Sequence, residues 1–418
     1  MNTADNAIPE LSLRHLKAMV YVAEFKNLTR AAKKLNRSQT AITKAISDLE
    51  SDLGVKLFDR SSTGMLPTVY GEALANRVRQ AEAEFIAAGE AYLEYKKDSK
   101  AYQNIPIFSM DISYKRLASF ITLHDTKDFA ATAKQLNITR AAVYNSVRQF
   151  EELLELPLFE RKPNGVACTA FCVVLVRQAK LAFSEIRHAI EDLASLNGVT
   201  RGSVSVGSLP YTRTILTPRA VNHLLDQHPQ LDIATTEGPY ALLEASLRSG
   251  DLDFIVGAIR PLENGKNLIT EKLFEDQLSV IVRKGHPLEG RKNLTLADLQ
   301  DFGWVLPTRN APTRLLFDEV MKAHNLNTPA HTVETSSLST VRGLLLESDR
   351  VALLSEHQIY YDKKYGLLNA LPITLKNTYR PIGVTMRAQT QPSPAAQLFL
   401  ASLRQVANDL TGEASIQK

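Results

Sequence analysis

Residues 31–60 read AAKKLNRSQTAITKAISDLESDLGVKLFDR, and this stretch decides how the first part of the chain folds. Apolar side chains recur every three or four residues just before it, from Leu16 to Ala23, and again within it, which predicts three successive helices. Ser38 is a good N-cap residue and marks the start of the third helix. A short turn before that helix, with polar side chains at its start, is the pattern of a helix-turn-helix.

The third helix has two distinct faces. Its predicted apolar face consists of Ala41, Ile42, Ala45, Ile46 and Leu49. Near its N-terminus the opposite face carries Gln39, Thr40, Thr43 and Lys44. Helix-turn-helix proteins present such side chains to base edges in the major groove, where Gln and Thr can donate and accept hydrogen bonds. We therefore predict that Arg37, Ser38 and these four residues contact DNA.

The charge around this helix supports that prediction. Between Lys26 and Lys44 there is no acidic residue, and the basic residues are Lys26, Arg30, Lys33, Lys34, Arg37 and Lys44. The net charge of the whole chain is only +4, so this excess is a local patch of the kind that neutralises phosphates. Residues 60–68 predict a tight ribbon with Gly64 at its turn, and Arg60 is predicted to reach phosphate or the minor groove. The alternative is a solvated helical domain with a basic stripe.

The pattern occurs twice in the chain. Residues 132–169 read TAKQLNITRAAVYNSVRQFEELLELPLFERKPNGVACT and match residues 31–68 without gaps, at an offset of 101. Each copy has the size of a domain, so the chain contains a duplicated domain and not an array of short repeats. We expect three parts: modules at 11–98 and 111–198, and a C-terminal domain at 202–411.

The second copy keeps the apolar frame but changes its polar face. Arg140, Asn145 and Arg148 stand on that face, and Arg161 lies in the second ribbon. Glu155 replaces the glycine found at position 54 in the first copy. Two interpretations stay open: this copy contacts DNA through these four basic or amide residues, or it serves as a dimerisation or spacer module.

A long helical stretch follows each ribbon. Its apolar residues alternate steps of four and three, which is typical of a coiled-coil seam. The first seam consists of Leu74, Val78, Ala81, Phe85, Ala88, Tyr92 and Tyr95, and the second of the seven residues 101 positions later. Both partners therefore exist in one chain, and we hypothesise an intramolecular pseudo-dimer. Alternatively, each seam pairs with another chain or packs on its own module.

The C-terminal part alternates short apolar runs with helical stretches, which predicts α/β layers with largely parallel sheets. In such sheets ligands bind at the carboxyl ends of strands, where the strand order reverses. Hydroxyl-bearing residues follow predicted strands or precede helix starts at Ser208, Thr212, Thr308 and Ser336. Because hydroxyls and free amides at helix starts favour anions, we predict that these four residues bind a small ligand. The alternative is that they only cap helices.

The first helix-turn-helix resembles that of the LysR-type transcriptional regulators. The matching residues are Ala31–Ala32, Leu35, Ser38–Gln39, Leu49–Glu50, Leu53–Gly54, Leu57–Phe58 and Arg60. Thr43 stands where Ser is usual and Pro67 where an aliphatic residue is usual. The C-terminal stretches HPQLDIATTEG, LRSGDLDFIVG, LSVIVRKGHPL, ETSSLSTVRGLL and DRVALLS are similar to the effector domain of the same family.

This resemblance implies a multidomain α and α/β fold. Two winged helix-turn-helix modules with linker helices would precede a periplasmic-binding-protein-like effector domain, with subdomains at 202–276 plus 376–411 and at 277–375. It also implies a transcription regulator controlled by a small anionic or polar metabolite. Expected partners are double-stranded DNA, that effector and further copies of the chain, in a dimer or tetramer. RNA polymerase is an additional candidate. The family normally carries one DNA-binding module per chain, so the duplication is a departure.

Other functions lack sequence support. No Gly-rich phosphate loop, HExxH or GxSxG occurs, so we infer no catalysis, cofactor or metal. Cys168 and Cys172 are interpreted as packing residues. With two cysteines, and no signal peptide or apolar span in the sequence, a cytoplasmic location is expected. A solute-binding protein and a DNA-organising protein without effector control are the remaining alternatives.

Overall fold

The computed structural model describes residues 11–61, 64–97, 102–163, 165–262, 267–309, 311–329, 331–388 and 390–416. Its first module comprises α1 (Leu13–Phe25), α2 (Leu28–Lys34), α3 (Gln39–Leu53), β1 (Phe58–Ser61), β2 (Gly64–Pro67) and α4 (Val69–Lys96). The second comprises α5 (Tyr114–Thr126), α6 (Phe129–Gln135), α7 (Arg140–Leu154), β3 (Phe159–Lys162), β4 (Gly165–Cys168) and α8 (Ala170–Leu196). Each element of the second module begins 101 residues after its counterpart, so the sequence repeat is also a structural repeat.

Capping side chains start the two recognition helices, α3 and α7, at equivalent residues. Ser38 accepts a hydrogen bond from the amide of Ala41 at 3.1 Å, and Thr139 accepts one from the amide of Ala142 at 3.1 Å. The predicted apolar face of α3 is buried at Ile42, Ala45, Ile46 and Leu49. The prediction was wrong for Ala41, which lies in the exposed first turn of the helix.

Each module ends in a two-stranded antiparallel wing that is tied to its first helix. The amide of Met65 donates to the carbonyl of Lys26 at 3.1 Å, where α1 ends. At Gly64 the backbone has φ +134°, and a Cβ there would lie 2.3 Å from that same carbonyl oxygen. Glycine is therefore required at this turn, as the sequence predicted. Gly165 has the same role in the second wing, against Lys127.

The two recognition helices end in the same left-handed conformation but with different residues. Gly54 follows α3 with φ 68°, whereas Glu155 follows α7 with φ 50°. A left-handed backbone costs a residue with a Cβ roughly 1–2 kcal/mol. We therefore expect Glu155→Gly to raise the free energy of unfolding by about 1 kcal/mol, measured by urea titration, because its exposed ion pair with Lys96 contributes little.

The matched change in the first module is Gly54→Ala. It places a Cβ in the same conformation and is expected to cost about 1 kcal/mol of unfolding free energy. A loss of stability in Glu155→Gly would mean that the side-chain contacts of Glu155 outweigh its backbone strain.

The two linker helices, α4 and α8, pack against each other along their length and run antiparallel. The hydroxyl of Tyr70 donates to the side-chain oxygen of Asn197 at 2.7 Å, and at the other end the ring of Tyr95 lies 5.7 Å from that of Phe171. The hypothesis of an intramolecular pseudo-dimer therefore agrees with the structure.

The C-terminal part is built on one mixed sheet with helices packed on it. Its elements are β5 (Gly202–Ser208), α9 (Leu216–Gln227), β6 (Leu231–Thr236), α10 (Tyr240–Arg248), β7 (Phe254–Ala258), β8 (Leu268–Arg283), β9 (Trp304–Leu306), α11 (Pro312–Ala323), β10 (Thr332–Glu334), α12 (Leu338–Leu346), β11 (Val351–Ser355), α13 (Tyr360–Lys364), β12 (Leu368–Ala370), β13 (Tyr379–Arg387) and α14 (Pro394–Ile416). The strand order is β10-β9-β11-β8-β13-β7-β5-β6, and β12 also pairs with β8. The core under this sheet includes Trp304, Phe254, Phe317 and Phe399.

The strand β8 joins two halves of this sheet. Its first part, Leu268 to Gln277, pairs antiparallel with β13, and its second part, from Leu278, pairs antiparallel with β11 and β12. This change of partner lies one residue from the predicted division at 276 and 277. The expectation of a largely parallel sheet was wrong, because the two longest strands are antiparallel. The first part of β8 reads LITEKLFEDQ, and its polar residues hide the strand pattern in the sequence.

A junction of charged groups joins the linker helices to the C-terminal part. Lys180 of α8 donates to Asp125 of the second module at 2.8 Å and to Asp251 at 3.1 Å. Nearby, His188 lies 3.8 Å from Asp253, and both are buried. Burial would raise the pKa of Asp253, but a hydrogen bond with His188 and its charge hold that pKa below its usual value. The C-terminal part is thus attached directly to the second module.

Candidate DNA-binding surface and effector cavity

The first turn of α3 presents a polar, exposed surface. Gln39, Thr40 and Lys44 are exposed, whereas Thr43 is half-buried. The side-chain amide of Gln39 donates to the hydroxyl of Thr29 at the start of α2. This bond orients Gln39. Among the described residues, its carbonyl oxygen and second N–H have no partner, and they form the donor and acceptor pair that matches an adenine edge.

Basic side chains surround this turn. Those of Lys26, Arg30, Lys33, Lys34, Arg37 and Lys44 are all exposed. Arg37 also lies 3.5 Å from Asp111, a residue of the connection between the modules, so its charge is partly compensated. Ser38 caps the helix and is exposed. Arg60 lies in strand β1, but its side chain is outside the described residues.

The equivalent surface on α7 has different chemistry. Arg140, Tyr144 and Asn145 are exposed at its start, and Arg161 is exposed in the second wing. Arg148 is exposed too, but its guanidinium donates to Glu152 at 2.8 Å, an ion pair between successive turns of the helix. The two recognition helices therefore have equivalent backbones but different exposed side chains.

A cavity of about 150 Å³ lies between the two halves of the C-terminal part. It is at the carboxyl ends of β5, β7 and β9, which is where the sequence predicted a ligand site. Its apolar walls include Leu209, Val305, Leu306, Leu338, Val341 and Leu353. Its polar groups are Tyr211, Arg260, Thr313, Thr335, Ser336, Gln358 and Arg380, and no carboxylate among the described residues lines it.

Two guanidinium groups define the charge of this cavity. Arg380 donates to the hydroxyl of Thr313 at 3.2 Å and to that of Tyr211 at 3.4 Å. The guanidinium of Arg260 lies 4.3 Å from the ring centre of Tyr240. Burial, together with the charge of Arg380, lowers the pKa of Arg260. Neither arginine forms an ion pair with a carboxylate within the described part of the chain, so the cavity favours an anion.

The four predicted ligand residues occupy different places. Ser336 lines the cavity. Ser208 and Thr212 are buried beside it, where Thr212 donates to the carbonyl of Val256 at 3.0 Å and the two hydroxyls lie 3.4 Å apart. Thr308 is exposed on the loop after β9. These predictions stay untested, but the geometry favours Ser336 among them.

Sequence reasoning missed both arginines. Arg260 lies two residues beyond the end of β7. Ser208 was predicted because it is a polar residue at the end of a strand, and the same criterion could have identified Arg260. Arg380 lies in β13, far along the chain, and reaches the cavity only because that strand returns to pair with β7 and β8.

Within the described residues, no group of three or more His, Cys, Asp or Glu side chains could hold a metal ion. Cys168 is half-buried, Cys172 is buried, and both are free. Among the described helices, none combines the length and apolar character that crossing a membrane requires.

The fold and these two sites define a DNA-binding regulator with a ligand-binding C-terminal domain. The model of the "Bacterial regulatory helix-turn-helix protein, lysR family" matches residues 13–72 and again residues 114–172. The model of the "LysR substrate binding domain" matches residues 197–408, more than half of the chain. The chain therefore belongs to the LysR family of transcription regulators. It is not an enzyme, and its activity as a DNA-binding regulator is controlled by an effector.

Relatives and solved structures agree with this membership. The HTH-type transcriptional regulator GalR of Pseudomonas putida is 34% identical over 395 residues, which cover 94% of this chain and 97% of that protein. This alignment therefore includes both N-terminal modules. PcaQ of Agrobacterium fabrum is 27% identical over 299 residues, covering 72% of this chain and 96% of its own.

Two solved structures share the fold at lower identity. A full-length OxyR variant from Pseudomonas aeruginosa has a TM-score of 0.55 at 21% identity, covering 71% of this chain and 97% of that chain. CbnR, a LysR family transcriptional regulator, has a TM-score of 0.50 at 18% identity, covering 71% of this chain and 99% of that chain. Each of these two structures is covered almost completely but matches only 71% of this chain, so both proteins are shorter than this chain.

Proposed function

We propose that this regulator responds to a small carboxylate that binds between Arg260 and Arg380. The observation that carries the proposal is two guanidinium groups in one cavity whose described lining residues include no carboxylate. Charge-assisted hydrogen bonds from arginine to a carboxylate are among the strongest in proteins, and an anion would relieve the repulsion between the two cations. The apolar walls would receive the body of the ligand.

The size of the cavity limits the effector further. Ligand sites commonly have volumes of ~300–1,000 Å³, whereas this cavity has about 150 Å³. A ring or short chain bearing one carboxylate fits such a space better than a sugar phosphate or a nucleotide. The hydroxyls of Tyr211, Thr313 and Ser336 would supply further hydrogen bonds.

The effector proposal is tested by thermal-shift screening of paired small monocarboxylates and their neutral primary amides, such as benzoate with benzamide and butyrate with butyramide. We expect stabilising compounds to be carboxylates. For a carboxylate hit, Arg380→Gln should weaken binding in calorimetry by ~1.5–3 kcal/mol, because a charged hydrogen-bond donor is lost. Arg404→Gln, which removes an exposed arginine on α14 paired with Glu271, is the matched control.

Two results would contradict the effector proposal. One is a set of stabilising compounds that are all neutral. The other is a carboxylate that binds Arg380→Gln and wild type equally well.

We also propose which side chains contact DNA. In the first module these are Arg37, Ser38, Gln39, Thr40, Thr43, Lys44 and Arg60, and in the second Arg140, Asn145, Arg148 and Arg161. The exposed basic surface around α3 supports the first set. The ion pair with Glu152 makes Arg148 the weakest member of the second set. We further propose a cytoplasmic dimer or tetramer that contacts RNA polymerase at its target promoters.

A further inference from the structure

We propose that a single chain reads both halves of an asymmetric DNA site, with adenine read by α3 in one half and guanine read by α7 at the equivalent place in the other. The proposal rests on the proposed assignment of the α3 residues as DNA contacts. It adds the number of chains that bind each DNA site and the base that the second recognition helix prefers.

The contacts between the two linker helices are symmetric. Tyr70 and Phe171 are equivalent residues of the two modules, and each contacts the far end of the opposite linker helix, at Asn197 and Tyr95 respectively. Contacts that recur with the modules exchanged define an approximate two-fold axis. Two-fold-related recognition helices are the arrangement that reads two half-sites on a DNA duplex.

Both seams are already occupied within one chain. Ten central seam residues are at most 1% exposed: Leu74, Val78, Ala81, Phe85, Ala88, Leu175, Ala179, Ala182, Ile186 and Ala189. Arg77 strengthens the pairing through ion pairs with the buried Glu185 and the half-buried Asp192. A second chain is therefore not needed to pair the two modules.

The length of the linker pair also matches the spacing of half-sites on DNA. The modules join the linker pair at Tyr70 and, at the opposite end, beside Tyr95, which lie 25 residues apart on α4. At a rise of 1.5 Å per residue this separates the junctions by about 38 Å. One turn of B-DNA, the usual spacing of half-sites, is roughly 34–36 Å. The linker pair thus has the length that two adjacent major grooves require.

The two modules also differ by a paired change of residues at the start of their recognition helices. In the first module Thr29 accepts a hydrogen bond from Gln39. At the equivalent positions the second module has Ala130 and Arg140. In the second module the hydroxyl equivalent to that of Thr29 is absent. Arg140, which stands at the position of Gln39, needs no such acceptor. Gln pairs best with adenine, whereas Arg pairs best with the O6 and N7 atoms of guanine.

Neighbouring positions differ in the same way. Thr43 and Lys44 of α3 correspond to Tyr144 and Asn145 of α7, and both residues of α7 are exposed. The basic residues Arg30 and Arg37 correspond to Ala131 and Ile138. The second half-site therefore depends more on base contacts and less on phosphate contacts than the first. Two identical half-sites would not satisfy these two surfaces.

The test is selection of bound sequences from random duplex DNA with the full-length protein, comparing wild type with Gln39→Ala, Arg140→Ala and the double variant Ala130→Thr, Arg140→Gln. We expect wild type to select two dissimilar half-sites. Arg140→Ala should reduce the preference for guanine in one half by roughly ten- to hundred-fold. The double variant should change that preference to adenine. Gln149→Ala, an exposed change on the same helix, should leave the motif unchanged.

The outcomes separate this proposal from the one on which it rests. A motif altered by Gln39→Ala but not by Arg140→Ala overturns reading by α7 and leaves the α3 assignment intact. A motif unaffected by Gln39→Ala removes the α3 assignment itself. Two identical half-sites selected by wild type also overturn the proposal.

Stoichiometry gives an independent measurement. On a duplex that carries the selected site, native mass spectrometry should find one chain for every two half-sites. Two chains for every two half-sites would overturn reading by a single chain.

Discussion

Replacing Arg77 with alanine is expected to lower the free energy of unfolding by about 3–5 kcal/mol, the cost of leaving buried carboxylates without their partner. The side chain of Arg77 is 4% exposed. It donates to Glu185 at 3.0 Å and to Asp192 at 2.7 Å on the opposite linker helix. Glu185 is also buried, so removing Arg77 would take away the cation that pairs with its charge.

Arg77 has a second role, because it also joins the linker helices to the C-terminal part. It donates to the carbonyl of Gln391 at 2.6 Å, just before α14. Burial lowers the pKa of Arg77, but hydrogen bonds and charges of Asp192 and Glu185 raise it above the usual value, so this group stays charged. Loss of this side chain should therefore loosen both the pseudo-dimer and its junction with the effector domain.

The measurement is urea unfolding followed by circular dichroism, with hydrogen exchange to locate the loss of protection in α4 and α8. Arg79→Ala is the matched control, since Arg79 lies on the same helix but is exposed and bonds only locally to Asn76. Surface changes of this kind usually cost less than ~0.5 kcal/mol. Equal stability of the Arg77 and Arg79 variants would show that the buried ion pairs contribute nothing.

The double variant Gln39→Ala, Lys44→Ala should lose most specific DNA binding, with an affinity reduced by about a hundred-fold. A bidentate base contact is worth ~1–3 kcal/mol, and loss of a phosphate contact adds to it. If Lys44 contacts phosphate, the slope of log affinity against log salt should also decrease by about 0.9. Both side chains are exposed, so the fold should not change.

Footprinting and fluorescence anisotropy at several salt concentrations measure these effects on the DNA that flanks the gene. The control is Lys56→Ala with Gln80→Ala, which removes the same two residue types elsewhere on the first module and its linker helix. Both control residues are exposed, and Lys56 is paired with Glu50. An unchanged footprint in the Gln39 and Lys44 variant would contradict DNA recognition by α3.

The helix-turn-helix modules were predictable from sequence because their signals are local. Ser38 and Thr139 cap their helices, and Gly64 makes its turn, through atoms only a few residues away or through one close backbone contact. The seams of α4 and α8 were predictable from their period. Their partner was not, because an apolar stripe pairs equally well with the opposite helix of the same chain or of another.

The effector cavity was predictable in place but not in composition. Parallel strands end at one edge of a sheet, so its position follows from the order of elements, and Ser336 lies there. The charge of the cavity comes from Arg260 and Arg380, which β7 and β13 bring together. Antiparallel pairing of β13 between β7 and β8 joins residues over 100 positions apart, and no local pattern encodes it.

The sequence by itself therefore determined the duplicated module, its recognition helices and the α/β class of the C-terminal domain, because capping, turns and apolar period act over a few residues. Tertiary structure decided that the two linker helices pair within one chain, that Arg77 is buried between them, and that two arginines face one cavity. These features depend on contacts between residues distant in sequence, and such contacts form only when the whole fold is assembled.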